Sequence, residues 1–145
     1  MTTLKHTLEI DAPATEVWRV LTTPELVREW ASAFTDGLHI RTSWREGDEV
    51  TWKEADGRTR ARGAVAAVKP ERLLKFEYTE GVIAPEGRSF CDTFEITEQD
   101  GMTRLDFTTG PFDVNDAKLL DRQSEEAIRE IKSLAEESAQ IHGVR

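Results

Sequence analysis

The sequence is short of cysteine, of positive charge and of long apolar runs, and each shortage excludes something. Its single cysteine, Cys91, has no partner for an internal disulfide, which fits a reducing compartment. Its 19 lysines and arginines stand against 28 aspartates and glutamates, and the net charge of -9 repels phosphate backbones and anionic membrane surfaces. Nucleic acid and membrane are therefore not expected as partners. No stretch approaches the roughly 20 apolar residues of a spanning helix, and the opening M-T-T-L-K-H-T-L-E-I lacks the apolar run of a signal peptide. A cytoplasmic protein is expected.

Ligands for metals and the known catalytic signatures are equally scarce. His6, His39 and His142 are scattered without a metal-ligand spacing, so neither a metal nor a cofactor is expected. D-V-N-D-A-K-L-L-D at 113–121 has the look of a calcium loop but lacks its sixth-position Gly and twelfth-position Glu, so it reads as a helix cap. There is no phosphate loop, nucleophile elbow or H-E-x-x-H, and no catalytic residue is assigned.

What is present has a clear layout over 145 residues without a compositional break, which suits one domain, 1–145. Residues 4–10 alternate as a half-buried strand, with Leu4, Leu8 and Ile10 on the parity of His6. The period then changes: Pro13 suits a first helical turn and Val17, Val20 and Leu21 form a helical stripe. Thr23 can cap a second short helix that Pro24 starts and Leu26, Val27 and Trp30 face inward.

From Gly37 to Gly110 the pattern gives six strands, at about 37–44, 49–55, 58–69, 72–80, 88–98 and 102–109. The turns between them, E-G-D, A-D-G-R, K-P-E-R, A-P-E-G (84–87) and Q-D-G-M, carry Gly or Pro where hairpins need them. Such short loops predict an antiparallel meander. Residues 114–142 contain no Gly or Pro, and Leu120, Ser124, Ala127, Ile128, Ile131, Leu134, Ala135, Ser138 and Ile141 recur at helical steps. The expectation is an α+β fold: a curved antiparallel sheet of about seven strands, covered by the long C-terminal helix.

At this point the residues resemble a known family. I-D-A-P-A-T-E-V-W-R-V-L-T-T-P-E-L-V-R-E-W, S-W-R-E-G-D-E-V-T-W and G-A-V-A-A-V-K-P-E-R-L-L-K-F-E-Y, in that order, are similar to the START-like helix-grip (SRPBCC) superfamily. The branch they resemble is the one named for the Hsp90 ATPase activator homologue domain, AHSA1. The resemblance implies a cavity between sheet and helix that takes apolar small molecules, and it implies no catalytic residue. One position departs from the branch, which often has Gly-Trp near the start of the last helix where this chain has Ser124 and Glu125. Two rival functions come with the family: a co-chaperone-like module with a protein partner, and a polyketide cyclase or aromatase. Against the first, the eukaryotic activators carry an additional N-terminal domain with no counterpart in these 145 residues.

Strand parity sorts the candidate site residues. Taking the apolar parity to face the helix, Leu38, Ile40, Trp44, Val50, Trp52, Leu74, Phe76, Tyr78, Phe90, Phe94, Ile96, Leu105 and Phe107 point inward. Several large rings converging on one concave face fit either a packed core or an apolar pocket. The candidate ligand-binding set is Trp30, Trp52, Phe76, Tyr78, Phe90, Asp92 and Phe107, with Leu120 and Ser124 on the helix opposite. Trp52 reads as core or as a cavity wall, and Trp44 as a shield at the sheet end. Asp92 shares the parity of Phe90 and Phe94, so it is either a strand-end residue reaching water or an arginine, or a buried polar anchor with a raised pKa. Arg60 and Arg62 fall on the opposite parity, toward the outer face.

Overall fold

The structure, a computed structural model, describes residues 1–81 and 89–142. In chain order the elements are β1 (Thr2–Ile10), α1 (Ala14–Thr22), α2 (Pro24–Ala31), β2 (His39–Thr42), β3 (Glu49–Lys53), β4 (Thr59–Lys69), β5 (Leu73–Gly81), β6 (Phe90–Gln99), β7 (Met102–Phe112) and α3 (Val114–Ile141). All seven strands join one antiparallel sheet in the order β1-β7-β6-β5-β4-β3-β2. The expected meander is therefore present, with β1 returning to lie beside the last strand. Asp100 and Gly101, both at positive φ, make the two-residue turn between β6 and β7, the backbone that matches strand twist. The A-P-E-G turn at 84–87 lies outside the described residues.

Register shifts at Arg62/Gly63 and Val65/Ala67 in β4, and at Trp52/Lys53 in β3, bend the sheet, since an unpaired extra residue increases local twist. Gly63 is required at the first of these. A Cβ there would lie 1.8 Å from the Glu77 carbonyl oxygen of β5, closer than any side chain tolerates.

The concave face is covered by the three helices, with α3 packed closely against β1, α1, α2 and β7. Its buried stripe is Ala117, Leu120, Ser124, Ala127, Ile128, Ile131, Ala135 and Ala139. Alanines at 127, 135 and 139 let neighbouring backbones come near. The stripe expected through Ile141 is corrected: steps of four from Ile131 bring Ala135 and Ala139 inward, so Leu134 and Ser138 lie at the margin and Ile141 is 73% exposed. Two caps also differ from expectation. Pro13 precedes α1 as its N-cap, and Thr23 caps α2 through its carbonyl, which accepts from the Leu26 and Val27 N–H groups, not through its hydroxyl. Asp113 occupies the N-cap of α3, its carbonyl accepting from Ala117 at 2.8 Å.

Trp44 is the largest local correction. It lies beyond the end of β2 at φ 63, so strand parity does not apply to it, and it is half-buried with its ring 6.0 Å from Phe76. Arg62 is exposed on the outer face between Glu49 and Glu80, as parity predicts. Arg60 is half-buried, and its Nε is sealed from solvent.

Candidate functional site

The inner face of the sheet is a set of side-chain rows fixed by register. One row runs His6, Phe107, Phe94, Leu74 and Val68 from β1 to β4, and the next runs Leu4, Thr109, Asp92, Phe76 and Val65. The third pairs Phe90, Tyr78 and Gly63. Asp92 thus sits in the middle row, with aromatic residues on both sides of it along β6. The small residues of β4 decide what happens at the third row. Ala61 and Gly63 leave room above the middle strand, and Trp52 of β3 reaches over it to Tyr78 of β5, ring centroids 5.3 Å apart.

Trp52 is therefore no isolated wall but the hub of a packed cluster. Phe34 lies 5.4 Å from it and Phe90 6.3 Å, Tyr78 stacks on Phe90 at 4.9 Å, and Phe112 closes on Phe90 at 5.2 Å. Aromatic pairs at these distances add to what burial alone supplies. A second cluster lies under α1 and α2, where Phe94 and Phe107 stack at 4.6 Å and Trp30 meets Phe94 edge-on at 5.7 Å. The Trp30 indole N–H donates to the Val20 carbonyl at 3.0 Å, tying α2 to α1. The nine candidate residues are all buried, yet they divide: Trp52, Phe76, Tyr78 and Phe90 come together, Trp30 and Phe107 belong to the second cluster, and Leu120 and Ser124 face inward from α3.

Polar groups thread the first cluster. The Trp52 indole N–H donates to the Tyr78 hydroxyl at 2.5 Å, and the Thr109 hydroxyl donates to Asp92 Oδ1 at 2.5 Å. Burial, and after it the charge of Asp92, pushes the Tyr78 phenol well above its ordinary range, with the Trp52 bond opposing. It stays a hydroxyl at any working pH. Burial raises the Asp92 carboxyl to about 7, and the Thr109 bond resists this only in part. Thr109 was invisible to strand parity as a partner, because only the β6–β7 register places it opposite Asp92. On α3, the Ser124 hydroxyl is fully buried and lacks a hydrogen-bond partner among the described residues, as does the Gln123 Oε1, whose amide nitrogen donates to the Phe34 carbonyl at 3.1 Å. No cluster of three His, Cys, Asp or Glu side chains able to hold a metal ion gathers among the described residues.

A second polar cluster, which the sequence did not signal, joins α1 to the end of α3. Glu16 is buried and accepts from Ser138 at 2.6 Å, and it lies 2.7 Å from His142 Nδ1 and 3.8 Å from Arg19. Burial works to raise its carboxyl, but the bonds to Ser138 and His142 and the charges of His142 and Arg19 outweigh burial and hold it below the ordinary value. The only sequence cue was Glu16 beside an apolar stripe, and its partners Ser138 and His142 are more than 120 residues away.

Comparison with known proteins settles the family. The family described as Activator of Hsp90 ATPase homolog 1-like protein (AHSA1) matches residues 11–136. The chain belongs to that family. Solved structures share the AHSA1 fold at low identity. Protein MLL2253 from Mesorhizobium loti superposes with a TM-score of 0.75 at 18% identity, covering 92% of this chain and 96% of that one. The Aha1 dimer from Colwellia psychrerythraea gives 0.74 at 15% identity, covering 94% and 97%. CalU16 from Micromonospora echinospora gives 0.69 at 18% identity, covering 90% and 71%. No curated protein matches the chain. In this AHSA1 chain no helix among the described residues is long and apolar enough to cross a membrane.

Proposed function

We propose that this AHSA1 domain binds an apolar or aromatic small molecule between the sheet and α3, without transforming it. The observation that supports this most is the fully buried, unpartnered Ser124 hydroxyl on the helix face that covers an aromatic layer. An orphaned buried donor costs stability unless something meets it, and mostly apolar sites with a few polar groups are the common form of small-molecule pocket. Asp92 and the Tyr78 hydroxyl supply further polar anchors in the same layer, and Trp52 and Phe90 supply stacking surface. A second reading, a cyclase-type acid–base reaction, is favoured by one feature: Asp92 is buried in the aromatic layer with the Thr109 hydroxyl on Oδ1, and burial pushes its carboxyl up to about 7.

The test is a thermal-shift panel of aromatic and acyl compounds. A binder at 100 times its dissociation constant stabilises the folded state by about 2.7 kcal/mol, or roughly 5–10 °C in a chain of this size. Trp52→Phe and Ser124→Ala are expected to weaken that shift, and the exposed Arg129→Ala is not. The proposal fails if no compound stabilises the protein. It also fails if a stabilising compound shifts all three variants as it shifts the wild type.

A further inference from the structure

The two edges of the sheet are finished differently. The β1 edge packs on α3 and the β2 edge on α2, and beside β2 a recess of about 440 Å³ opens. Its walls are all four residues of β2, His39 to Thr42, with Trp44 beyond them and Pro24 and Arg28 from α2. Successive strand side chains point to opposite faces, so one recess touched by four consecutive strand residues must lie along the strand's free edge. There the backbone N–H and C=O groups that do not face β3 remain unpaired by the sheet.

The charge of the recess is the reverse of the chain's. Arg28, His39 and Arg41 line it and no carboxylate does, in a protein of net charge -9. Arg28 and Arg41 are exposed, and neither has a carboxylate within 4.0 Å among the described residues. Arg19, Arg45, Arg58, Arg62, Arg104 and Arg129 are each paired with one, and of the described arginines that are not, Arg28 and Arg41 are the two that share this recess. Trp44 adds a half-buried ring, fixed against Phe76 at the end of the edge.

We propose that this edge binds an extended acidic peptide, which adds to the sheet beside β2 by main-chain hydrogen bonds. Its carboxylates would meet Arg28 and Arg41, and an apolar side chain would lie on Trp44. The chain's overall negative charge does not forbid this, because beyond about 8 Å it is screened at physiological salt and the contact charges decide. A second copy is the poorer occupant: pairing β2 with β2 sets arginine beside arginine and one acidic surface against another. The site touches the buried aromatic layer through Trp44 and Ile40, but its arginines lie outside that layer, so binding at either can fail without the other.

The probe is a fluorescein-labelled eight-residue peptide alternating glutamate with valine, measured by fluorescence anisotropy against the full chain. Binding is expected, weakening as salt rises, with Arg28→Ala and Arg41→Ala each lowering affinity about tenfold. Because both side chains are exposed, the fold should survive, and circular dichroism checks this. A peptide with glutamine in place of glutamate should bind at least tenfold more weakly, and one methylated at alternate backbone nitrogens should not bind. The inference is overturned if the acidic peptide does not bind or binds both arginine variants unchanged. It is overturned equally if the methylated peptide binds as well as its parent, or if sedimentation shows the protein dimerising through this edge.

Discussion

Glu16 and Asp92 are both buried, and the protein shifts their carboxyls in opposite directions. Around Glu16, at the junction of α1 and α3, three donors or positive groups converge from Arg19, Ser138 and His142, and the carboxylate stays ionised. Around Asp92, under the middle of the sheet, the neighbours along the strand are aromatic and Thr109 supplies a hydroxyl. Its carboxyl is pushed to about 7. Burial is the first influence on both groups and raises both. What separates them is the number of polar partners that survive burial. The first site is a clasp that benefits from being charged, and the second is a polar group kept in an apolar layer at a cost to the charged form.

The largest expected effect follows from Asp92. Its folded-state value of about 7 lies above its ordinary 3.8, so it contributes stability that is fully present below about pH 4 and lost as pH rises through 7. The difference corresponds to a change on the order of 4 kcal/mol across that window. Denaturant unfolding of wild type and Asp92→Asn at pH 4 and pH 8 measures it. The two should be nearly equal at pH 4, with the variant the more stable at pH 8. A stability difference independent of pH would mean that burial does not raise the Asp92 carboxyl.

These two sites also mark where the sequence was legible. The alternation of strands 1 to 7, the Q-D-G-M turn and the long helix were readable because period and turn chemistry are local. The same alternation put Asp92 inward among phenylalanines. It could not supply Thr109, which depends on which residue of β7 falls opposite, nor the reach of Trp52 across β4, which depends on Ala61 and Gly63 lying between two larger neighbours. Parity misled at Trp44 because β2 ends at Thr42 and the chain turns with Trp44 in a left-handed conformation. The Glu16 clasp was out of reach for a similar reason. Ser138 belongs to the last turn of α3 and His142 caps its end, and only the packing of α3 on α1 brings them to Glu16.

A smaller effect is expected from Thr109→Val, which keeps the shape of the side chain and removes the donor to Asp92. The ionised carboxylate loses more than the neutral acid, so at pH 8 the loss should be about 1.5–3 kcal/mol, falling at pH 4 to about 1 kcal/mol or less. The inflection in the stability–pH curve should move upward. An equal loss at both pH values would show that Thr109 acts by packing alone, and the contrast between the two carboxyls would then rest on burial without any contribution from partners.

The smallest expected effect lies at the clasp, in Arg19→Met. Arg19 is half-exposed, it lies 3.8 Å from Glu16 Oε2, and its guanidinium also reaches Ser138 at 3.0 Å. Methionine keeps the stem's packing and removes the charge. With Ser138 and His142 still holding the carboxylate, the loss at pH 7 should be under about 1 kcal/mol, the usual worth of an exposed ion pair. Glu16 has a lowered folded-state value, so its contribution is present above the ordinary 4.5 and fades as pH falls below it. The Arg19 effect should fade in the same range. It should also shrink in 1 M salt, where the screening length is about 3 Å. A loss of about 3–5 kcal/mol that salt leaves untouched is the signature of a buried charge stripped of its partner. In that event Glu16 depends on one arginine instead of a shared set of donors, and the two buried carboxyls differ in charge pairing alone.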